Sequence, residues 1–174
     1  DIIKCGIGSG SCCTTRIKTG VGVPQLTCVR FCATTNLNNC TIISDGGVKS
    51  SGDVVKAFAS GAKFVMLGGL LSGHEECLGN LIEKNNKKYK LFYGMASRTA
   101  MDKYKKNTSY KCPEGKTVMV PYKGHVKNTI EDILGGIRSA CTYLNSRCIS
   151  ELTKSNMIQV NQQYNTVFDE ITIS

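Results

Sequence analysis

From Ile2 to Gly69, short apolar runs alternate with mixed polar segments, and every run ends in glycine. Ile2-Ile3-Lys4-Cys5 leads into Gly6, Thr41-Ile42-Ile43-Ser44 into Asp45-Gly46-Gly47, and Phe64-Val65-Met66-Leu67 into Gly68-Gly69. Runs of this length, rich in β-branched residues, predict strands. Between the first two, Pro24 marks a helix start and Leu26, Val29, Phe31 and Cys32 supply an approximately helical apolar face. Between the second and third, Ser51 or Asp53 is placed to cap a helix running to Gly61. Strands alternating with helices predict an α/β chain with a parallel sheet and right-handed crossovers. Ligands of such sheets sit beyond the carboxyl ends of the strands, where all three glycine-rich loops fall.

After Gly69 the next helix is delayed by an insertion. Leu81 to Leu91 reads as a hairpin with Asn85-Asn86 at its turn, since asparagine tolerates positive φ. Met95 to Cys112 has no strand pattern, only a short polar helix over Thr99 to Lys106, and is expected to be a mobile active-site flap. Thr117 to Pro121 is a further short strand. Ile130, Ile133, Leu134 and Ile137 fall at helical spacing and predict a packing helix from about Val126 to Leu144. Its Gly135-Gly136 pair would weaken an isolated helix by roughly 1 kcal/mol per glycine, which implies close packing against the sheet. The tail from Cys148, with Ile158-Gln159-Val160 and Gln162-Gln163, carries no nameable chemistry. The chain thus divides at 1–79, 80–124 and 125–174.

Composition adds bounds. With 174 residues, 41% apolar and 20% charged, the chain reads as one globular domain. No apolar run approaches the ~20 residues of a membrane helix, and no signal segment stands at Asp1, so the expected compartment is the cytoplasm. Ten cysteines, two of them adjacent at Cys12-Cys13, read as free thiols rather than a disulfide scaffold. Cys28 and Cys32 sit four apart on a predicted helix, but a metal would want more ligands at fixed spacing. His74 and His125 are the only histidines, so zinc is not expected. The net charge of +9 is concentrated between Lys84 and Lys127, where Asp102 and Glu114 are the only acids and Tyr89, Phe92, Tyr93, Tyr104 and Tyr110 are interleaved. That is the composition of a single-strand binding surface. It equally suits an insertion that draws phosphorylated nucleotides to a site, and the phosphate-loop signals around it favour this second reading. No nucleic-acid or membrane partner is expected.

The candidate chemistry lies in Gly6-Ile7-Gly8-Ser9-Gly10-Ser11-Cys12-Cys13-Thr14-Thr15-Arg16. Alternate glycines bring backbone close to a ligand, and a thiol beside hydroxyls suggests covalent catalysis. Taken alone, the loop also fits a glycine-rich linker with a structural cysteine.

This loop, continued by Lys18-Thr19-Gly20-Val21-Gly22-Val23-Pro24-Gln25-Leu26, resembles the GMP reductases, close relatives of the IMP dehydrogenases. The likeness runs on through Ile42 to Gly47, Gly52 to Phe58, Phe64 to Gly69, Lys90 to Met95, Glu114 to Thr117 and Ile133 to Arg138, nearly the whole chain. The resemblance implies reductive deamination of GMP to IMP and ammonia with NADPH, in a homotetramer built of (β/α)₈ TIM barrels. Cys13 would add to purine C2 and form a thioimidate that accepts hydride. Thr15 and Glu114 would handle the proton and the ammonia, Glu114 arriving from the insertion as acid and base. On residues alone, Glu114 reads better as a solvated acid before a turn glycine. Asp45 would accept the ribose hydroxyls; Ser11, Gly47, Gly68 and Gly69 would hold the phosphate; Gly94 and Met95 would meet the base; Gly46 and Gly115 would be further substrate-binding residues. Ala96, Lys111 and Cys112 fall at cofactor positions. Carbonyls of Gly8, Gly10 and Cys13 would bind K⁺, a hard ion suited to oxygen ligands.

Three positions depart from the pattern. Ser9 replaces a proline, which should loosen the loop; Ala96 replaces a serine; Cys112 replaces an arginine, putting cofactor use in doubt. An IMP dehydrogenase would carry an Arg-Tyr pair on the flap, which is missing between Met95 and Glu114. A non-catalytic nucleotide-binding or assembly fragment is the reading from another class. A (β/α)₈ barrel needs about 250 residues and eight strands. The chain supplies what the resemblance makes the last three βα units, with a hairpin and flap inserted before the final helix. It is therefore expected to be a fragment or a truncated product, inactive alone.

Overall fold

The computed structural model describes residues 1–35, 40–104 and 112–160. Lys111, most of the flap tip beyond Tyr104 and the Gln162-Gln163 pair lie outside the described residues. Strands β1 (Ile2–Cys5), β2 (Thr41–Asp45) and β3 (Phe64–Met66) form a parallel sheet in that order, with Ile3 beside Ile42 and Ile43 beside Phe64. A short helix α1 (Thr15–Thr19) and then α2 (Gln25–Thr34) connect β1 to β2, and α3 (Ser51–Ala59) connects β2 to β3. This is the α/β alternation expected.

The core joins Cys5, Val29, Ile42 and Ala62, with Cys28, Cys32 and Ala33 packed against them. Phe31 is not part of it: its side chain is 67% exposed while Val29 is fully buried. At 100° per residue, a position two after Val29 points to the far side of the helix, whereas Cys28 and Cys32 share its inner stripe.

Helix α3 is capped by Ser50 rather than by Ser51 or Asp53. The Ser50 hydroxyl accepts the Asp53 N–H at 3.4 Å, and the Asp53 carboxylate accepts the Ser50 N–H at 3.2 Å, a reciprocal capping box. Burial alone would raise the Asp53 carboxyl, but the Lys49 N–H, the Lys56 ammonium and the Ser50 hydroxyl together hold it below its ordinary range.

The long helix α5 (Lys127–Tyr143) packs on α3, not on the sheet. A Cβ added at Gly136 would lie 2.7 Å from the Cβ of Ser51, while one at Gly135 would meet nothing within 4 Å. Only the second glycine of the pair is a packing glycine. The tail also contributes, since its 3₁₀ turn Ile149–Lys154 covers α3 and buries Leu152 completely.

The insertion is a second sheet, antiparallel, of β4 (Leu81–Lys84), β5 (Lys87–Tyr93) and β6 (Thr117–Pro121). Asn85 and Asn86 turn the hairpin at φ 52° and 58°. Pairing of β6 with β5 places Thr117 opposite Tyr93, so the chain leaves and re-enters the sheet at one end, where α4 (Arg98–Lys103) sits. Lys90 does not join a basic surface: it is buried, and its ammonium donates to the carbonyls of Glu75 and Cys77, each at 2.7 Å. Buried His74 lies between the Gly124 carbonyl at 3.2 Å and the Thr129 hydroxyl at 3.0 Å, which fixes the start of α5 to the segment after β3.

Strands β1 and β3 each have one strand neighbour among the described residues, and Ile2, Phe64 and Met66 on them are exposed. No helix among the described residues is long and apolar enough to cross a membrane.

Candidate active site

The carboxyl ends of all three parallel strands open into one cleft of about 280 Å³. The loop after β1 forms its floor. Ser9, expected to loosen this loop, ties it down instead: its hydroxyl is shared between the carbonyls of Gly6 at 2.9 Å and Asp45 at 2.5 Å. A proline would restrict the backbone there, whereas serine cross-links the loop to the end of β2, so mobility is limited by a different route.

The loop then rises to Cys12 and Cys13. Cys12 is buried, and that burial pushes its thiol up despite the Ser11 hydroxyl and the Lys116 ammonium, which pull it down. Cys13 is half-exposed and lines the cleft. Its thiol donates to Thr15 Oγ1 at 3.1 Å, and Thr15 Oγ1 donates in turn to Glu114 Oε2 at 2.5 Å. Sequence separation along this chain of contacts reaches 99 residues between Thr15 and Glu114.

Glu114 is not a solvated surface acid. It is half-buried and held from both sides by backbone. Its carbonyl accepts the Thr14 N–H at 2.8 Å, its N–H donates to the Ala96 carbonyl at 2.9 Å, and the Lys116 N–H donates to the Cys12 carbonyl at 2.8 Å. Gly115 is thereby bridged to Cys13 on one side and to Ser97 on the other. The return limb of the insertion is stitched to the cysteine loop, and main-chain hydrogen bonds on both sides of Glu114 position its carboxylate.

Around this relay the cleft brings together Gly10, Ser11, Asp45, Gly46, Gly47, Gly68, Gly69, Gly94, Met95 and Ala96. Gly46 takes φ 79°, a conformation that side chains with a Cβ rarely adopt, and a Cβ on Gly69 would collide with the Ser11 hydroxyl. Both positions exclude side-chain atoms and so keep backbone bare at this end of the cleft, although the Gly46 N–H itself donates to the Met66 carbonyl at 3.2 Å. Asp45 pairs with the Lys4 ammonium at 2.5 Å through Oδ2. Thr15 and Gly115 sit behind the lining, Gly8 lies beneath Arg16, and Cys112 is exposed away from the cleft with its thiol 3.7 Å from the Pro113 carbonyl.

Several lining residues, among them Val48, Lys49, Met66 and Phe92, carry no site signal assigned from the sequence. Lys49, two residues beyond Gly47, adds a cation near the glycine amides and was findable as the only charged residue in that loop after Asp45. Phe92 comes from β5 of the other sheet, and no local signal marks a contact of that kind.

The family model for the IMP dehydrogenase / GMP reductase domain matches residues 1–170. Among curated relatives, GMP reductase 1 of Mus musculus is 58% identical over 97% of this chain and 50% of its own length. GMP reductase 2 of Homo sapiens is 57% identical over 98% of this chain and 50% of its own, and a GMP reductase of Buchnera aphidicola is 55% identical over 97% and 49%. The chain spans about half the length of the curated relatives it matches. A cysteine loop, glycine-lined cleft and Cys-Thr-Glu relay thus coincide with a match over nearly every residue, and the chain belongs to the IMP dehydrogenase / GMP reductase family.

Proposed function

We propose that this chain carries the covalent-chemistry centre for reductive deamination of GMP to IMP and ammonia. The observation that supports this most is the relay from Cys13 through Thr15 to Glu114. A carboxylate that accepts from the Thr15 hydroxyl lets that hydroxyl accept from the thiol, so the Cys13 proton has a path to Glu114 as sulfur bonds to C2 of the purine. Protonated Glu114 then stands where it can return the proton to the departing amine, leaving ammonia and a thioimidate on Cys13.

Bound NADPH would supply the hydride that replaces sulfur at C2. Met95 and Ala96, both exposed at the cleft rim, present a small apolar surface that fits the face of a planar ring. Cys112 offers no cation to the cofactor's phosphates, so that work would fall to Lys111 or to residues outside the chain. For K⁺, the carbonyls of Gly8, Gly10 and Cys13 would be the ligands. The Gly10 carbonyl already accepts the Cys13 N–H at 3.0 Å, which leaves its second lone pair for a cation. Asp45 would take the ribose hydroxyls through the oxygen that Lys4 leaves open, and the amides of Gly47, Gly68 and Gly69, with Ser11, would hold the phosphate.

On this reading β1 to β3 are the last three βα units of a (β/α)₈ barrel. Their open edges are where further strands would pair. The test is intact-mass detection of a nucleotide adduct on the chain co-expressed with the first half of a related reductase. An adduct that survives Cys13→Ala would overturn the proposal.

A further inference from the structure

Where α2 packs against β1, three thiols converge. Cys5 ends the strand, and Cys28 and Cys32 stand one helical turn apart on the inner stripe of α2. Their sulfurs all lie within 4.8 Å of one another. Cys28 and Cys32 have no further ligand at fixed spacing in the sequence; the third is Cys5, brought in by the β1–α2 packing and invisible to any local pattern.

We propose that Cys5, Cys28 and Cys32 form a trithiolate site for a soft monovalent metal ion, Cu(I). The geometry suits it: an ion with metal–sulfur bonds of about 2.3 Å in a trigonal plane sets its sulfurs about 4 Å apart. The donor set selects the metal. Among the described residues no histidine or carboxylate joins the group, so hard ions find no oxygen and structural zinc lacks its fourth ligand, whereas thiolates alone suit Cu(I). The surroundings agree, since Val29, Ile42, Ala33 and Ala62 pack an apolar shell around the inner side of the group. Cys5 is buried while Cys28 and Cys32 are half-exposed, which leaves a way in from the side of α2. Binding forms three Cu–S bonds and sends thiol protons to solvent; the copper enters as Cu(I), so no electron moves. The consequence for the fold is a clamp between α2 and the strand whose next residue, Gly6, begins the cysteine loop.

The whole reduced chain, given one equivalent of Cu(I) without oxygen and then challenged with bathocuproine disulfonate, provides the test. We expect one copper retained per chain and a shell of three sulfurs by X-ray absorption. Cu(I) should also protect Cys28 and Cys32 from iodoacetamide while exposed Cys112 and Cys148 remain labelled, as read by peptide mass. Replacing all three ligands, C5A/C28A/C32A, should weaken retention by more than the roughly 10- to 100-fold that loss of a mere supporting residue costs. Because that variant can fail to fold, the labelling and absorption measurements on the unaltered chain decide independently. Equal labelling of Cys28 and Cys32 with and without copper, or undiminished retention by a folded triple variant, would reduce the cluster to core filling and overturn the site. Tighter binding of Zn(II) than of Cu(I) would overturn the choice of metal.

Discussion

Two adjacent cysteines face different environments, and this decides which can act. Cys12 is buried with its thiol pushed up and its carbonyl committed to Lys116; Cys13 opens on the cleft and donates to Thr15. In a chain completed by the first half of a related reductase, Cys13→Ala should abolish the covalent adduct while Cys12→Ala leaves it largely intact, as read by intact mass. Equal loss from both would refute the assignment. Glu114→Gln keeps the shape of the relay but removes its proton acceptor, so turnover should fall by about 10²- to 10⁴-fold with nucleotide binding little changed. A fall in binding alone would point to a structural role. The cysteine loop and the glycine pairs after β2 and β3 were legible because they form short contiguous motifs at strand ends, whereas the roles of Thr15 and Asp45 came with the family resemblance. Glu114 was legible only through the family resemblance, for its environment is made by residues near 13 and 96 that no local pattern connects to it. Ser9 was misread because the loss of a proline's stiffness was visible, whereas the carbonyls waiting for a hydroxyl were not.

Elements were read well where apolar runs are short and bounded by glycine, as in β1, β2, β3 and the hairpin. Partners of elements were read less well. The Gly135-Gly136 pair announced close packing but not which neighbour, and the structure assigns it to α3 through Gly136 alone. Gly136→Ala should therefore destabilise by about 1–3 kcal/mol through overpacking against Ser51. Gly135→Ala, in open space within a helix, should stabilise by up to about 1 kcal/mol. Urea unfolding of both distinguishes this arrangement from packing on the sheet, in which the two would behave alike. The capping box of α3 gives a pH-dependent counterpart. The Asp53 carboxyl is depressed in the folded state, so its contribution is present above the unfolded value of about 3.9 and is lost as pH falls through the lower folded value. Asp53→Ala should cost about 1 kcal/mol at neutral pH, and the difference from the parent should vanish in strong acid.

At the scale of the molecule, the loop after β1 of one sheet carries Cys13 and the segment leading into β6 of the other carries Glu114. The parallel sheet alone leaves Ile2, Phe64 and Met66 exposed on edge strands, and catalytic groups need a rigid supporting shell to hold them within about 0.5 Å of working geometry. Residues 1–174 alone should consume no NADPH with GMP, and co-expression with the first half of a related reductase should restore turnover. Robust activity of the monomeric chain by itself would refute the barrel reading. The pairing of β6 with β5 and the stitching of 114–116 onto 12–14 could not be read from the chain in order, because both are long-range contacts whose local residues look like loop. That stitching also furnishes a clock. The N–H groups of Thr14 and Lys116 are the two rungs of one short ladder, so in deuterated water their exchange, each divided by its own intrinsic rate, should report one common opening equilibrium, that of the insertion lifting from the cysteine loop. A bound nucleotide that seals the cleft should slow both amides together, making the departure of the acid from the thiol measurable without any chemistry taking place.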